Sequence, residues 1–208
     1  MPVTRLEVFN NALSLFHHRL LTSDLEDSEE GRQLRAHWGS SVRFCLERGA
    51  WSFAEEYSKI SPVAVTDADP TYGFDQSFEK PADWVSSLCV SDCDNREVSL
   101  RPEEYRDSGG RIWANADILH LWYVSESVKD TPGRFTQSFS EYVSADLATR
   151  VIGRLAPSAS KLELLKRDVD YKRQAALSFN ARQSPPQRYP QGRIVRARRG
   201  YGRMSIHG

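Results

Sequence analysis

Paired acids are the most abundant chemistry-bearing residues of this chain: Glu55-Glu56, Glu103-Glu104, and a run over residues 26–30 that holds Glu26, Asp27, Glu29 and Glu30. Two carboxylates at a fixed separation can cleave a bond, one acting as acid and the other as base or nucleophile, so hydrolysis is the first chemistry to weigh. No flanking pattern marks any of these acids as buried. The 26–30 run falls where a helix begins, and its positive end favours acids there. These groups read as solvated surface and helix-end charge.

Metal ligation fares no better. His17-His18 and His37 lie in helical stretches, where consecutive residues diverge by about 100 degrees, so the paired imidazoles cannot face one ion; H-E-x-x-H is absent. His120 alternates with Ile118 and Trp122 on one face of the apolar segment ILHLWYV, which predicts a hydrogen-bonded packing residue. The three cysteines, Cys45, Cys89 and Cys93, form no C-x-x-C pair and read as reduced thiols. Cys89-x-x-x-Cys93 joins a strand to a turn with no second pair to complete four ligands. G-x-S-x-G, G-x-x-x-x-G-K-[ST] and G-x-G-x-x-G do not occur. The expectation is a protein with no cofactor, no metal and no enzymatic activity.

Binding chemistry concentrates at the C-terminal end. Residues 180–208 hold seven Arg (Arg182, Arg188, Arg193, Arg196, Arg198, Arg199 and Arg203) and no Asp, Glu or Lys, which leaves residues 1–179 with a net charge of −7 within a chain of net zero. A basic tail on an acidic body is an interaction element for phosphate or carboxylate. Arg to the exclusion of Lys favours planar, bidentate contacts, and apolar residues interleave with it. The candidate binding residues are Arg188, Tyr189, Arg193, Ile194, Val195, Arg196, Arg198, Arg199, Tyr201 and Arg203. Pro185, Pro186, Pro190, Gly192, Gly200 and Gly202 argue for an extended arm over 181–208, in which RIVRARR can add as a strand to another chain.

The elements that carry this arm follow from periodicity. Thr4 caps a helix over 4–21 with Leu6, Phe9, Leu13, Phe16 and Leu20 at three- and four-residue spacing. A second helix over 28–48 buries Leu34, Trp38, Val42, Cys45 and Leu46 and stops at Gly49. Residues 52–124 form a β-rich section from WSFAEEY, SPVAVT, YGFDQSF, WVSSLCVS, REVSL, RIWAN and ILHLWYV. Its turns fall at Asp69-Pro70, Lys80-Pro81, Asp94-Asn95, Arg101-Pro102 and Ser108-Gly109-Gly110, and Trp84 after Pro81-Ala82-Asp83 anchors one of them. Helices over 135–156 and 160–179 follow, the first ended by Ala156-Pro157 and the second presenting Leu162, Leu165, Val169, Ala176 and Phe179. The fold class is α+β, one domain over 1–180: a helical bundle of four main helices with a β-rich insertion.

At 39% hydrophobic residues the 208-residue composition is that of a globular chain rather than a disordered one. No apolar run approaches the roughly 20 residues that span a bilayer. Glu7, Asn10 and Asn11 interrupt what a signal peptide would need unbroken, so neither membrane residence nor export is expected.

In order and spacing, the motifs resemble the head-to-tail adaptor (connector) family of tailed bacteriophages, which includes podovirus tail tubular protein A and the adaptors of gene transfer agents. The resemblance runs through FNNALSLF, RFCLERGAWSFA, YGFDQSFEKPADWV, RIWANADILHLWYVSE, FTQSFSEYVSADLATRVIGRLA and the ending KRQAAL…GRIVRARRG, over nearly the whole chain. It departs from the family pattern in a long polar insertion over residues 90–110. It implies a virion protein at the head-tail junction, assembled in the host cytoplasm as a homo-oligomeric ring, dodecameric in the family. The ring sits below the portal protein, extends the DNA channel, closes the packaged head and seats a distal tail protein, a nozzle or stopper. It further implies that the arm docks on the portal. An acidic inner face would repel genomic DNA during its transient passage and let it slide. The competing expectation is a nucleic-acid-binding protein that grips phosphates with the same arm.

Overall fold

The computed structural model describes residues 2–63, 65 and 72–183. The Asp69-Pro70 turn and the ten candidate arm residues, Arg188 through to Arg203, lie outside the described residues. Within them the fold is α+β, with four helices and two antiparallel sheets: α1 Arg5–Ser14, α2 Glu29–Leu46, β1 Glu55–Ile60, β2 Pro62–Val63, β3 Gln76–Glu79, β4 Trp84–Ser91, β5 Tyr105–Ser108, β6 Arg111–Ala114, β7 Leu119–Ser125, α3 Gln137–Leu155 and α4 Ala159–Gln183.

Side-chain caps start all four helices, Ser158 Oγ accepting from the Lys161 amide at 3.4 Å ahead of α4. Thr4 Oγ1 accepts from the Glu7 amide, Ser28 Oγ from Gly31 and Thr136 Oγ1 from Phe139, each at 3.2 Å. Glu29 and Glu30 occupy the first turn of α2, at its positive end.

The first helix is shorter than the predicted 4–21. The Leu13 carbonyl accepts from both Phe16 and His18, and His17 turns left-handed at φ 58°. Asn10 then holds the returning chain from both sides, donating to the Leu21 carbonyl at 3.0 Å and accepting from the Leu21 amide at 2.8 Å. Leu21 is buried by this return, whereas Leu20, expected on the apolar stripe, is 51% exposed.

At the other end, α4 outruns the predicted 160–179 and continues to Gln183. Helices α2 and α3 match 28–48 and 135–156 to within two residues. Gly49 lies beyond α2, and its need is for space: a Cβ there would meet Leu177 Cδ2 and Trp51 at 2.8 Å.

The two sheets have strand orders β1-β7-β4 and β2-β3-β6-β5. They enclose a core of Phe78, Val90, Ile112, Ala114, Leu119, Leu121 and Tyr123. The β5–β6 hairpin turns on Gly109 and Gly110 at φ 63° and 81°, values that suit glycine at both positions. Two strand expectations fail here. REVSL is not a strand, because Asn95 folds it into turns by accepting from Glu97 through its side chain (2.9 Å) and from Val98 through its carbonyl (3.0 Å). The polar segment Tyr105–Ser108 is one instead, paired by its hairpin to β6.

A second core lies among the helices. α3 is its central member, buried on nearly every side from Phe139 to Ile152, with α1, α2 and α4 each packed against it. Trp51, fully buried, contacts Phe139 edge-on with ring centroids 4.8 Å apart and donates from Nε1 to the Cys45 carbonyl at 3.1 Å. Strand β7 belongs to both cores: Leu119, Leu121 and Tyr123 face the sheets and Val124 joins the helices. No helix among the described residues is long and apolar enough to cross a membrane.

Candidate functional site

The segment expected to bind a partner follows α4 in sequence, and the side-chain amide of Asn180 holds the end of that helix. Asn180 Nδ2 donates to the Ala50 carbonyl at 2.6 Å, and its Oδ1 accepts from both the amide and the hydroxyl of Ser52 at 2.9 Å. These are the residues where the chain leaves the bundle for the β section, so three segments meet at one side chain. Leu177 packs against Gly49 beside it. Phe179 is half-buried under the Arg182 guanidinium, 5.8 Å from the ring centroid. Sequence reasoning missed Asn180; its one signal was a polar residue four positions after the buried Ala176, on the apolar face of α4.

The acids expected at the surface are largely there, tied into local pairs. Glu26 accepts from the Thr22 amide at 2.9 Å and meets Arg19 at 2.5 Å; the Thr22 bonds, with Arg19 behind them, lower its pKa. Hydrogen bonds from Gln33, Arg32 and Arg154 lower that of Glu29. Glu55 pairs with Arg96, and Glu56 with Arg134 at 3.0 Å. Glu103 and Glu104 sit in an exposed turn.

One carboxylate runs against that expectation. Asp146 is buried on α3, where its Oδ2 accepts from Arg150 Nε at 2.6 Å. The buried Cys45 lies in the same neighbourhood. Burial first, and Asp146 second, push its thiol well above the ordinary range, so it stays protonated.

At the joint between bundle and sheets, Glu126 meets Arg43 of α2 at 2.6 Å and Lys129 at 2.9 Å. Partial burial opposes its ionisation, but the Lys129 and Arg43 hydrogen bonds outweigh it and lower the carboxyl. Asp83 accepts from Tyr123 Oη at 3.2 Å and from the Ser125 hydroxyl. Burial, reinforced by Asp83, pushes the Tyr123 phenol up to about 12. Trp84 anchors the neighbouring turn as expected: its amide donates to the Pro81 carbonyl at 3.0 Å, and Lys80 Nζ stands 3.6 Å above its ring.

His120 is the hydrogen-bonded packing residue that the strand pattern predicts. It is buried, its Nδ1 lies 2.7 Å from Tyr57 Oη, and its ring stacks with those of Tyr57 and Trp122. It also lines an open cleft of about 600 Å³ together with Asp75, Gln76, Asp92, Asn115 and Asp117. Those three aspartates have no ion-pair partner among the described residues, yet no three His, Cys, Asp or Glu of the described residues are grouped to hold a metal ion. The thiols of Cys89 and Cys93 lie in hydrogen-bond reach of nearby groups, the Arg96 carbonyl at 3.5 Å and Ser91 Oγ at 3.4 Å.

No family model matches the chain, and no curated protein matches it.

Proposed function

We propose that the chain is a structural virion protein, a head-to-tail adaptor. In this reading it forms a ring below the portal protein, extends the DNA channel, closes the packaged head and seats the distal tail protein. What carries the reading is the arrangement of the bundle. Its four helices are divided between α2 and α3 by a β module with a core of its own, which is the order that the resemblance implies.

Two features support the details. Asn180 holds the end of α4, which gives an arm that begins there a fixed point of departure toward its target. The acidic body suits a channel through which DNA must pass without being gripped, because each cationic contact to phosphate adds affinity that ejection would have to break.

The test is binding of the full chain, and of a chain ending at Gln183, to the portal ring of the same genome, with duplex DNA as competitor. The adaptor reading expects the full chain to decorate the portal to saturation, the shortened chain to stay fully folded and unbound, and DNA to compete weakly. A chain that ignores the portal and binds DNA with a steep salt slope is instead a nucleic-acid-binding protein using Arg188, Arg193, Arg196, Arg198, Arg199 and Arg203 on phosphates.

A further inference from the structure

We propose that the open cleft of the β module is a guanidinium site, and that its occupant in the free protein is an arginine of this chain's own C-terminal arm, residues 184–208. The cleft lies where three segments meet: Asp75 and Gln76 at the start of β3, Asp92 just past β4, and the link from β6 to β7 with Asp117, beside His120. Asp75, Asp92 and Asp117 are exposed and have no ion-pair partner among the described residues, and no Lys or Arg lines the cleft.

Exposed acids are ordinary on a surface; two less exposed groups between them mark this place. Gln76 Oε1 is buried and has no hydrogen-bond partner among the described residues, a rare condition for a buried acceptor. His120 is 8% exposed; Tyr57 Oη occupies its Nδ1 at 2.7 Å, and its Nε2 has no partner among the described residues. Burial, and after it the charge and hydrogen bond of Asp94, raise the Tyr57 pKa. With its own proton given to Asp94, the phenol accepts from Nδ1–H, and Nε2 keeps its lone pair.

The polar side chains of the cleft thus offer acceptors: three carboxylates, an amide oxygen and an imidazole nitrogen. A cation with several donors matches them. The acids and His120 are not gathered closely enough to hold a metal ion, whereas a guanidinium carries five N–H donors on a planar fork that can serve acceptors standing apart. At about 600 Å³ the cleft has the size of a ligand pocket.

The chain carries that ligand. Past α4 come Arg188, Arg193, Arg196, Arg198, Arg199 and Arg203 with no acid among them. Asn180, near the end of α4, holds Ser52 just ahead of β1, and Lys59 towards the far end of β1 stands opposite His120. That strand spans about 20 Å, and residues 184–193 reach about 33 Å when extended. Arg193 and its successors can therefore enter the cleft of their own copy, at the high effective concentration of a tethered ligand. The hold is that of a screened surface contact, weak enough to leave folding unchanged. A stowed arm is withheld from phosphates until its target displaces it. That the target is the portal rests on the adaptor reading; occupation of the cleft does not.

The experiment is limited trypsin digestion of the full chain, with cutting at Arg193, Arg196, Arg198 and Arg199 timed by mass spectrometry over a range of protein concentrations, in low and high salt. Beside the parent stand a cleft variant, Asp75→Asn with Asp92→Asn and Asp117→Asn, and a control that loses three exposed acids elsewhere, Glu103→Gln with Glu141→Gln and Asp170→Asn. All six positions are exposed, so both keep the parent's circular dichroism. The expected result is that the arm is cut about threefold more slowly in the parent and the control than in the cleft variant, at every protein concentration, and that high salt removes the difference. Gln76→Leu, which leaves the charge unchanged, should speed cutting as well. Equal cutting of parent and cleft variant, or a control that behaves as the cleft variant does, overturns the proposal. Protection that grows with protein concentration places a second copy's arm in the cleft and overturns it too. Portal binding of the parent, measured in parallel, separates the two readings: binding without arm protection overturns the cleft contact alone, and protection without portal binding overturns the adaptor.

Discussion

Asn180 and Ala50 are 130 residues apart in the chain and 2.6 Å apart in the fold, joined by a hydrogen bond from the side-chain amide of one to the backbone carbonyl of the other. The same amide accepts from Ser52, so its loss removes three hydrogen bonds and leaves backbone groups on both sides of Trp51 without this partner.

Asn180→Ala should therefore lower stability by about 2 kcal/mol, a fall of about 4–8 °C in Tm for a chain of this size. Thermal melts of three chains check it. One ending at Gln183 melts with the parent, while one ending at Phe179 melts with the substitution; equal melting of all three would remove the clamp.

Gly49→Ala places a methyl group 2.8 Å from both Leu177 and the ring of Trp51. The ring is fully buried and cannot yield, so a loss of about 1–3 kcal/mol is expected from overpacking. Leu177→Ala in the same chain should restore part of it, and denaturant unfolding of the single and double variants measures the coupling.

The acid limb of stability should carry the signature of Glu126. Its carboxyl is held below the ordinary value of 4.5 in the fold, so the stabilisation is complete above that value and is lost as pH falls through the lowered one. Glu126→Gln should thus destabilise at neutral pH by about 1–2 kcal/mol, with the gap to the parent closing in acid. Urea midpoints across the pH range report it.

Tyr123 governs the alkaline limb. Its phenol ionises near 10 when exposed and about 12 in the fold, so its contribution is complete below 10 and disappears as pH rises through 12. In Tyr123→Phe the alkaline loss of stability should be shallower, while Asp83 keeps its Ser125 partner at neutral pH.

Asn10→Ala releases the chain return that ends α1. The Leu21 amide should then exchange with solvent far faster than in the parent, with little change in the α3 amides, as hydrogen exchange would show.

Where local chemistry decides an element, the sequence could be read. Thr4 starts its helix with its own side chain as its type predicts, and the alternation around His120 placed it in a packed strand. Where a distant group decides, it could not. Leu20 continues the helical spacing of α1, but the helix ends because Asn10 captures Leu21, a contact that periodicity does not contain. Tyr105–Ser108 is too polar to read as a strand and becomes one through its hairpin partner, whereas REVSL has strand composition and is bent by Asn95. At the candidate site the Arg-rich composition was plain, but Asn180 became visible only when α4 was laid beside Ala50 and Ser52. Asp146 shares with Leu147 a place on the apolar side of its helix, but its burial was not legible because its partner Arg150 sits one turn away, where the pair looks like ordinary surface charge.

The register that sets Glu55 opposite Val124 bears on how the chain is made. While the nascent chain emerges, α1 and α2 lack the central helix that covers them, since α3 is synthesised only after the whole β section. That section has its own core and can close first. Once β1 and β7 are zipped, the long connection between α2 and α3 shrinks to the span between neighbouring strands, and most of the loop-closure entropy for docking α3 has already been spent. The inserted module thus acts as a clasp for the helices on either side of it, whatever surface it offers to a partner.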